Sequence, residues 1–144
     1  MERKTVEDAL ILAANAHRGQ KDRGGVPYIM HPVHVSTFAL ALAVKHDVHQ
    51  MIDVPGYAWH EIIIMVAILH DIVEDTLVSL GQLVEYGFPT DVVDAVDCLS
   101  KRDGEEYDDY ILRAAQNPIS RIVKMADIKH NLDTSRLGQI TNKD

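Results

Sequence analysis

The chain has 144 residues, the usual size of one domain with its own hydrophobic core. Apolar residues make up 47% of it, against 8 glycines and 5 prolines, which excludes a disordered or fibrous chain. Twenty-two acidic and 14 basic residues give a formal net charge of −8, and this disfavours a nucleic-acid partner because phosphate backbones would be repelled. We therefore predict a single domain over residues 1–144.

The sequence also limits the compartment and the kinds of site. Cys98 is the only cysteine, so neither an intrachain disulfide nor a cysteine-based zinc site can form. The longest apolar run, residues 62–69, is far shorter than the ~20 residues of a membrane-spanning helix. The N-terminal residues follow an amphipathic pattern that contains acids, which is not typical of a signal peptide. We expect a cytoplasmic protein without a membrane partner.

Hydrophobic residues recur at helical spacing along most of the chain. Thr5, Ser79 and Thr90 are typical capping residues, and Pro32 and Pro118 suit the first turn of a helix. The predicted helices cover about residues 6–17, 32–45, 59–74, 80–86, 90–100, 105–116 and 119–132. The β-branched run in the third of these would also suit a strand, but no partner strands are apparent. The sequence therefore predicts an all-α bundle of about six to eight helices.

The sharpest local pattern is HDIVED at residues 70–75, directly after the long apolar run. On one continuous helix His70 would lie over Glu74, and Asp71 over Asp75. Three carboxylates at the C-terminal end of a buried helix repel one another and the helix dipole, so a positive partner is required. A cluster of basic side chains and a divalent cation both satisfy this requirement. Imidazole and carboxylate are suitable ligands for the cation.

One helix cannot supply a complete metal site, so further ligands must come from other parts of the chain. His31 begins a helix just after a glycine-containing loop at residues 18–30. Asp127 is an acid inside an otherwise packable helix, with Asn131 four residues later. Both are candidates to complete the site.

Three short sequence motifs strengthen the hypothesis of a divalent-cation site. They are PYIMHP at residues 27–32, LHDIVEDT at 69–76, and KMAD at 124–127 followed by Asn131. The order of one histidine, a His-Asp pair and a later aspartate resembles that of the HD superfamily. The residues around these positions resemble the motifs of the hydrolase domain of RelA/SpoT-type proteins and of small alarmone hydrolases. The resemblance extends over about residues 5–137.

The resemblance implies a helical domain that binds Mn²⁺ and removes the 3′-pyrophosphate of (p)ppGpp, the alarmone of the stringent response, giving GDP or GTP and pyrophosphate. The implied metal ligands are His31, His70, Asp71 and Asp127. Glu74 and Asp75 are implied to orient and deprotonate the attacking water. A bound metal would lower the pKa of that water, and a neighbouring carboxylate would accept its proton.

The resemblance also implies a nucleotide pocket. The implied substrate-binding residues are Lys21, Arg23, Asn131 and Thr134. Asp22 stands where the family usually has an arginine that stacks on the base, and Ile128 where it prefers arginine or lysine. The family domain also continues through further helices, whereas this sequence ends at Asp144. Another nucleotide phosphoester, or a nucleotide-binding module without catalysis, therefore remain alternatives.

A few residues keep simpler interpretations. His17 is expected to pack or to support a ligand, His34 to lie on a helix surface, and His130 to have a structural role. Lys124 would meet either a substrate phosphate or a carboxylate. A homodimer would bury any apolar helix face that the chain leaves uncovered.

Overall fold

The computed structural model of the protein describes residues 3–133. Its helices are α1 (Val6–Ala16), α2 (Met30–Lys45), α3 (Trp59–Leu69), α4 (Ile72–Asp75), α5 (Leu80–Tyr86), α6 (Thr90–Cys98), α7 (Tyr107–Gln116) and α8 (Pro118–Asn131), with a 3₁₀ helix at Val48–Met51. One isolated β-bridge, between Lys21 and Pro27, is the sole extended pairing in this region. The predicted all-α bundle is confirmed.

Helix α3 is the centre of the bundle and packs against α1, α2, α6 and α8. Its buried side chains are Ile62, Ile63, Met65, Val66, Ala67, Ile68 and Leu69. Full burial of a large aliphatic side chain contributes about 1.5–3 kcal/mol, so this apolar segment supplies much of the driving force for folding. Within the part of the chain that the structure describes, no helix has both the length and the apolar character needed to cross a membrane.

The predicted continuous helix over residues 59–74 is wrong, because α3 ends at Leu69 and α4 is a separate turn. His70 makes the break. Its backbone N–H and its ring Nδ1 both lie within hydrogen-bonding distance of the carbonyl of Ala67, at 3.5 and 2.6 Å. This carbonyl is three residues back, as in a 3₁₀ turn, so the α-helical hydrogen-bond pattern is interrupted. His70 therefore does not share a continuous helix with Glu74. The N–H of Asp75 still donates to the carbonyl of Asp71 over 3.0 Å, so Asp71 and Asp75 remain one helical turn apart.

Most other helix boundaries follow the local sequence signals. Thr5 with Asp8 and Ser79 with Gln82 form the expected capping boxes at the starts of α1 and α5. Thr90, however, is the first residue of α6 rather than its cap, and the preceding proline occupies the cap position. The 3₁₀ helix after α2 was not predicted.

Helix α8 brings polar side chains into the core. The residues buried along its length are Ile119, Ser120, Ile122, Val123, Ala126, Asp127 and His130. Their spacing of three and four residues makes one continuous face, and this helix packs against α2 and α3. Asn117 caps the helix, since its Oδ1 accepts hydrogen bonds from the backbone of Ile119 and Ser120 at 2.9 and 3.0 Å.

Removing this cap tests how firmly α8 is held. We expect Asn117→Ala to lower the free energy of unfolding by about 1 kcal/mol, because two N–H groups at the start of α8 lose their acceptor. Asn117→Ser keeps an acceptor oxygen and is expected to retain most of the stability. Urea denaturation of the three proteins measures the difference. An equal loss in both variants would contradict the capping explanation.

Candidate metal centre

Three buried side chains from different helices converge at the middle of the bundle. His31 comes from the start of α2, His70 directly follows α3, and Asp127 comes from the core face of α8. One ligand atom from each lies within 4.8 Å of the others. Nε2 of His31 and of His70 are 2.8 and 3.6 Å from Oδ1 of Asp127. Donor atoms about 2.0–2.2 Å from a common metal ion would have separations of this order.

Asp71 lies beside this group. Its Oδ2 is 3.0 Å from Nε2 of His70 and 3.8 Å from Nε2 of His31. The hydroxyl of Tyr28 donates a hydrogen bond to the same oxygen. Burial opposes ionisation of Asp71, but the neighbouring positive charge of His70 and the hydrogen bond from Tyr28 outweigh it and lower its pKa to about 2.

His70 shows that the residues fit a divalent cation. The carbonyl of Ala67 can only accept, so Nδ1 of His70 carries a hydrogen and donates to it over 2.6 Å. Nε2 therefore faces the cluster, where it is buried and makes no hydrogen bond to any described residue. Burial disfavours the charged ring, yet Asp71 and Asp127 outweigh burial and raise the pKa of His70 well above its usual value. A metal cation would satisfy the same negative charges, and two imidazoles with carboxylates suit such an ion.

Asp127 is surrounded by donors. Besides His31, Nζ of Lys124 lies 3.3 Å from its Oδ2, and Nδ2 of Asn131 donates to its Oδ1 over 3.3 Å. Burial raises the pKa of the carboxyl, but the hydrogen bond from His31 and the nearby positive charges of His70 and Lys124 outweigh it, so the pKa lies far below its usual range. Of the two interpretations left open for Lys124, the structure shows the contact with a carboxylate.

The second nitrogen of His31 has a histidine partner. Its Nδ1 lies 2.7 Å from Nδ1 of His130, which is buried on the same face of α8 as Asp127. The ring of His34, exposed on α2, stacks on His130 with centroids 4.8 Å apart. His130 is thus in contact both with His31, a candidate metal ligand, and with the exposed ring of His34.

The acidic pair of α4, Glu74 and Asp75, forms hydrogen bonds with two other parts of the chain. A carboxylate oxygen of Glu74 accepts a hydrogen bond from the backbone N–H of Lys101. The side chain of Gln20 donates to the backbone carbonyl of Asp75 over 3.0 Å. Gln20 in turn lies 3.0 Å from Nδ1 of the buried His17. Partial loss of water around Asp75, followed by the charges of Asp71 and Glu74, raises the pKa of its carboxyl.

The turn that presents Lys101 to Glu74 is held by one arginine. Arg113 of α7 donates to the backbone carbonyls of Asp97 and Ser100 at 2.7 and 2.8 Å. It also contacts the carboxylate of Glu105 through Nε at 3.0 Å and Nη2 at 2.9 Å. Such paired hydrogen bonds between guanidinium and carboxylate are geometrically specific. Arg113 therefore closes the turn between α6 and α7.

Two of the remaining predicted site residues belong to the loop before α2. Lys21 and Arg23 are exposed in that loop, whose turn contains Gly25 with a φ of +82°. The carboxylate of Asp22 accepts hydrogen bonds from the loop backbone at Gly24 and Val26, 2.9 and 3.0 Å away. Thr134 lies outside the described residues.

Sequence comparison places the chain among known proteins. The model of the HD domain family matches residues 9–132. The chain belongs to the HD domain family. The family resemblance predicted from the His-Asp motif is thereby confirmed.

Relatives of this HD domain have names that state an activity on alarmones. A guanosine-3′,5′-bis(diphosphate) 3′-pyrophosphohydrolase of Haemophilus influenzae is 31% identical over 135 residues, 86% of this chain and 18% of that protein. The bifunctional (p)ppGpp synthase/hydrolase SpoT of Escherichia coli is 28% identical over 142 residues, again spanning 18% of that protein. The chain thus spans less than a fifth of the length of these relatives.

A solved structure has the same fold. It is the structure of a metazoan ortholog of SpoT described as hydrolysing ppGpp, and it is 26% identical with a TM-score of 0.64. The match covers 94% of this chain and 78% of that one.

Sequence reasoning missed several contacts of the HD domain site. The PYIMHP motif contains Tyr28 without indicating its contact with Asp71, no motif indicates Lys101, and for His130 the sequence predicts only a structural role. For His130 a signal existed, since it lies three residues after Asp127 and therefore on the same helical face. The contact between Lys101 and Glu74 has no such signal, because it depends on how a distant turn folds.

The ion pair between Arg113 and Glu105, which closes the turn between α6 and α7, predicts that the stability of the protein depends on pH. Hydrogen bonds from Arg113 lower the pKa of Glu105 from 4.5 to about 2. Its contribution to stability is therefore fully present above pH 4.5 and is lost as the pH falls towards 2. We expect Glu105→Gln to be less stable than the wild type near neutral pH, and the gap to shrink as the medium becomes acidic. Urea denaturation of both proteins across this range measures the gap; a gap that widens in acid would contradict the assignment.

Proposed function

We propose that this HD domain is a metal-dependent phosphohydrolase that removes the 3′-pyrophosphate of (p)ppGpp. One observation carries the proposal: two buried imidazoles and a buried carboxylate from three helices converge within 4.8 Å, beside the acidic pair of α4. Coming from a chain of the HD family, this arrangement supports hydrolysis rather than a purely structural cluster. The proposed unit is a single domain over residues 1–144.

The proposed ligands of one divalent cation are His31, His70, Asp71 and Asp127. Asp71 joins the set because its Oδ2 lies close to both imidazoles, with Tyr28 fixing the carboxylate. We propose Mn²⁺ as the ion, in line with the resemblance to alarmone hydrolases. When bound, such a cation lowers the pKa of a water molecule and polarises a phosphoryl oxygen.

The proposed catalytic pair is Glu74 and Asp75. The hydrogen bond from Lys101 fixes one oxygen of Glu74, which leaves the other to orient a water molecule. The raised pKa of Asp75 suits a group that accepts a proton from that water, because an effective general base has a pKa nearer to neutrality. Both side chains are exposed and so are accessible to a substrate.

The proposed substrate contacts are Lys21, Arg23, Asn131 and Thr134. The exposed Lys21 and Arg23 supply positive charge on an otherwise acidic protein, which suits a phosphorylated ligand. Gln20 and Tyr28 attach the same loop to Asp75 and Asp71, so the loop that carries the basic groups is held against the candidate metal centre. The activities named for the relatives support a small nucleotide as the substrate.

A second candidate is hydrolysis of another nucleotide phosphoester. Asp22, at the position where an arginine would stack on a base, instead caps the backbone of its own loop. Ile128, at a position where the family prefers a basic residue, is 45% exposed on α8. Both observations weaken the case for a guanine-specific pocket while leaving the metal centre unaffected.

Product analysis tests the substrate. We expect the Mn²⁺-loaded protein to convert ppGpp to GDP and pyrophosphate, with loss of activity on chelation and in Asp127→Asn, which removes a ligand charge. Chromatography of a panel of nucleotides identifies the products. Release of orthophosphate from other nucleotides with ppGpp intact would favour the second candidate, and binding of nucleotides without any turnover would contradict both.

Glu74→Gln separates catalysis from metal binding. We expect it to retain Mn²⁺ affinity but to reduce turnover by about 10²–10⁴-fold, because the amide cannot act with Asp75 in accepting a proton. Glu85→Gln, an exposed position on α5, is the matched control and is expected to be fully active. Turnover is measured by product formation and affinity by calorimetry. Unchanged turnover in Glu74→Gln would remove this residue from the mechanism.

A further inference from the structure

His130 is a buried imidazole that the proposed reaction does not use. It is 8% exposed and lies on α8, one helical turn after Asp127. Its Nδ1 is 2.7 Å from Nδ1 of His31, and the other nitrogen of His31 is 2.8 Å from Oδ1 of Asp127. His31 is therefore held at both nitrogens by residues of the same helix.

The contact between two Nδ1 atoms restricts where the hydrogens can be. At 2.7 Å one nitrogen must donate and the other must accept. A histidine that binds a metal through Nε2 offers the lone pair of that nitrogen, so its hydrogen lies on Nδ1. In that form His31 donates through Nδ1, and Nδ1 of His130 is the acceptor.

We propose that His130 is a positioning residue that selects the tautomer and the ring orientation of His31 needed to bind a divalent cation. This inference rests on the metal centre of the proposed function. Ligand histidines commonly donate their second N–H to an acceptor that fixes tautomer and ring plane. At His70 the backbone carbonyl of Ala67 provides this acceptor, and at His31 a second imidazole does so.

Neighbouring rings keep His130 in place for this role. Its ring lies between those of His31 and His34, with centroid distances of 4.9 and 4.8 Å and interplanar angles of 27° and 23°. The centroid of the Phe38 ring lies 6.0 Å from that of His130. The ring therefore has little freedom to rotate its Nδ1 away from His31.

Two substitutions separate the acceptor from the packing. His130→Phe keeps an aromatic ring in the stack but has no acceptor, whereas His130→Asn can place its amide oxygen near the position of Nδ1. We expect His130→Phe to bind Mn²⁺ about 10–100-fold more weakly than the wild type, and His130→Asn to recover most of the affinity. The affinity is measured by titration calorimetry with Mn²⁺ and no nucleotide. His60→Phe, at an exposed position near the start of α3, is the control and is expected to bind Mn²⁺ as the wild type does.

Unchanged Mn²⁺ affinity in His130→Phe would overturn the inference. So would an equal loss in His130→Asn and His130→Phe when both unfold at the same temperature as the wild type, because the acceptor would then be irrelevant. The test is separate from that of the substrate. A wild type that binds Mn²⁺ but leaves ppGpp intact contradicts the proposed function. In that case calorimetry still decides whether His130 affects the Mn²⁺ affinity.

A spectroscopic measurement tests the tautomer without any substitution. In the protein loaded with diamagnetic Zn²⁺, nitrogen-15 NMR of the imidazoles is expected to show His31 with its hydrogen on Nδ1 and its Nε2 bound to metal. His130 is expected to show an unprotonated Nδ1. A hydrogen on Nδ1 of His130 in the metal-bound protein would overturn the inference even if the variants failed to fold.

Discussion

The carboxylate of Asp127 is the constraint on which the rest of the structure depends. It belongs to the core face of α8, and a buried carboxylate without partners costs several kcal/mol. The surrounding sequence meets this cost with Lys124 and Asn131 from the same helix. Two imidazoles, His31 and His70, complete the shell. The two imidazoles among these partners are also the proposed ligands of a cation, so the stability of the bundle and its proposed chemistry share contacts.

Much of the fold could be predicted because its signals are local. The capping boxes at Thr5 and Ser79 and the apolar periodicity each involve residues within one or two turns. The break after Leu69 could not be predicted in this way. It depends on His70 bonding to the carbonyl of Ala67, and nothing in the apolar pattern shows that a side chain will compete with the helix there.

The candidate site could be predicted only in part, for a similar reason. The sequence motifs identify residue types that are suited to binding a metal ion and activating a water molecule. The structure brings three of the predicted ligands together. The partners that orient them lie far away in the chain. Tyr28 and Asp71 are 43 residues apart, and His31 and His130 are 99 apart. Sequence spacing within a helix cannot reveal such pairs, because they arise from packing between helices.

The interruption between α3 and α4 divides the HD segment into two physically different parts. His70 is embedded with the apolar side chains that hold the bundle together, whereas in α4 the residue Ile72 alone is buried and Glu74 and Asp75 are exposed. Changes in the acidic turn therefore disturb little of the packed interior. A domain built this way can vary its exposed acidic groups while the frame that holds His31, His70 and Asp127 together stays the same.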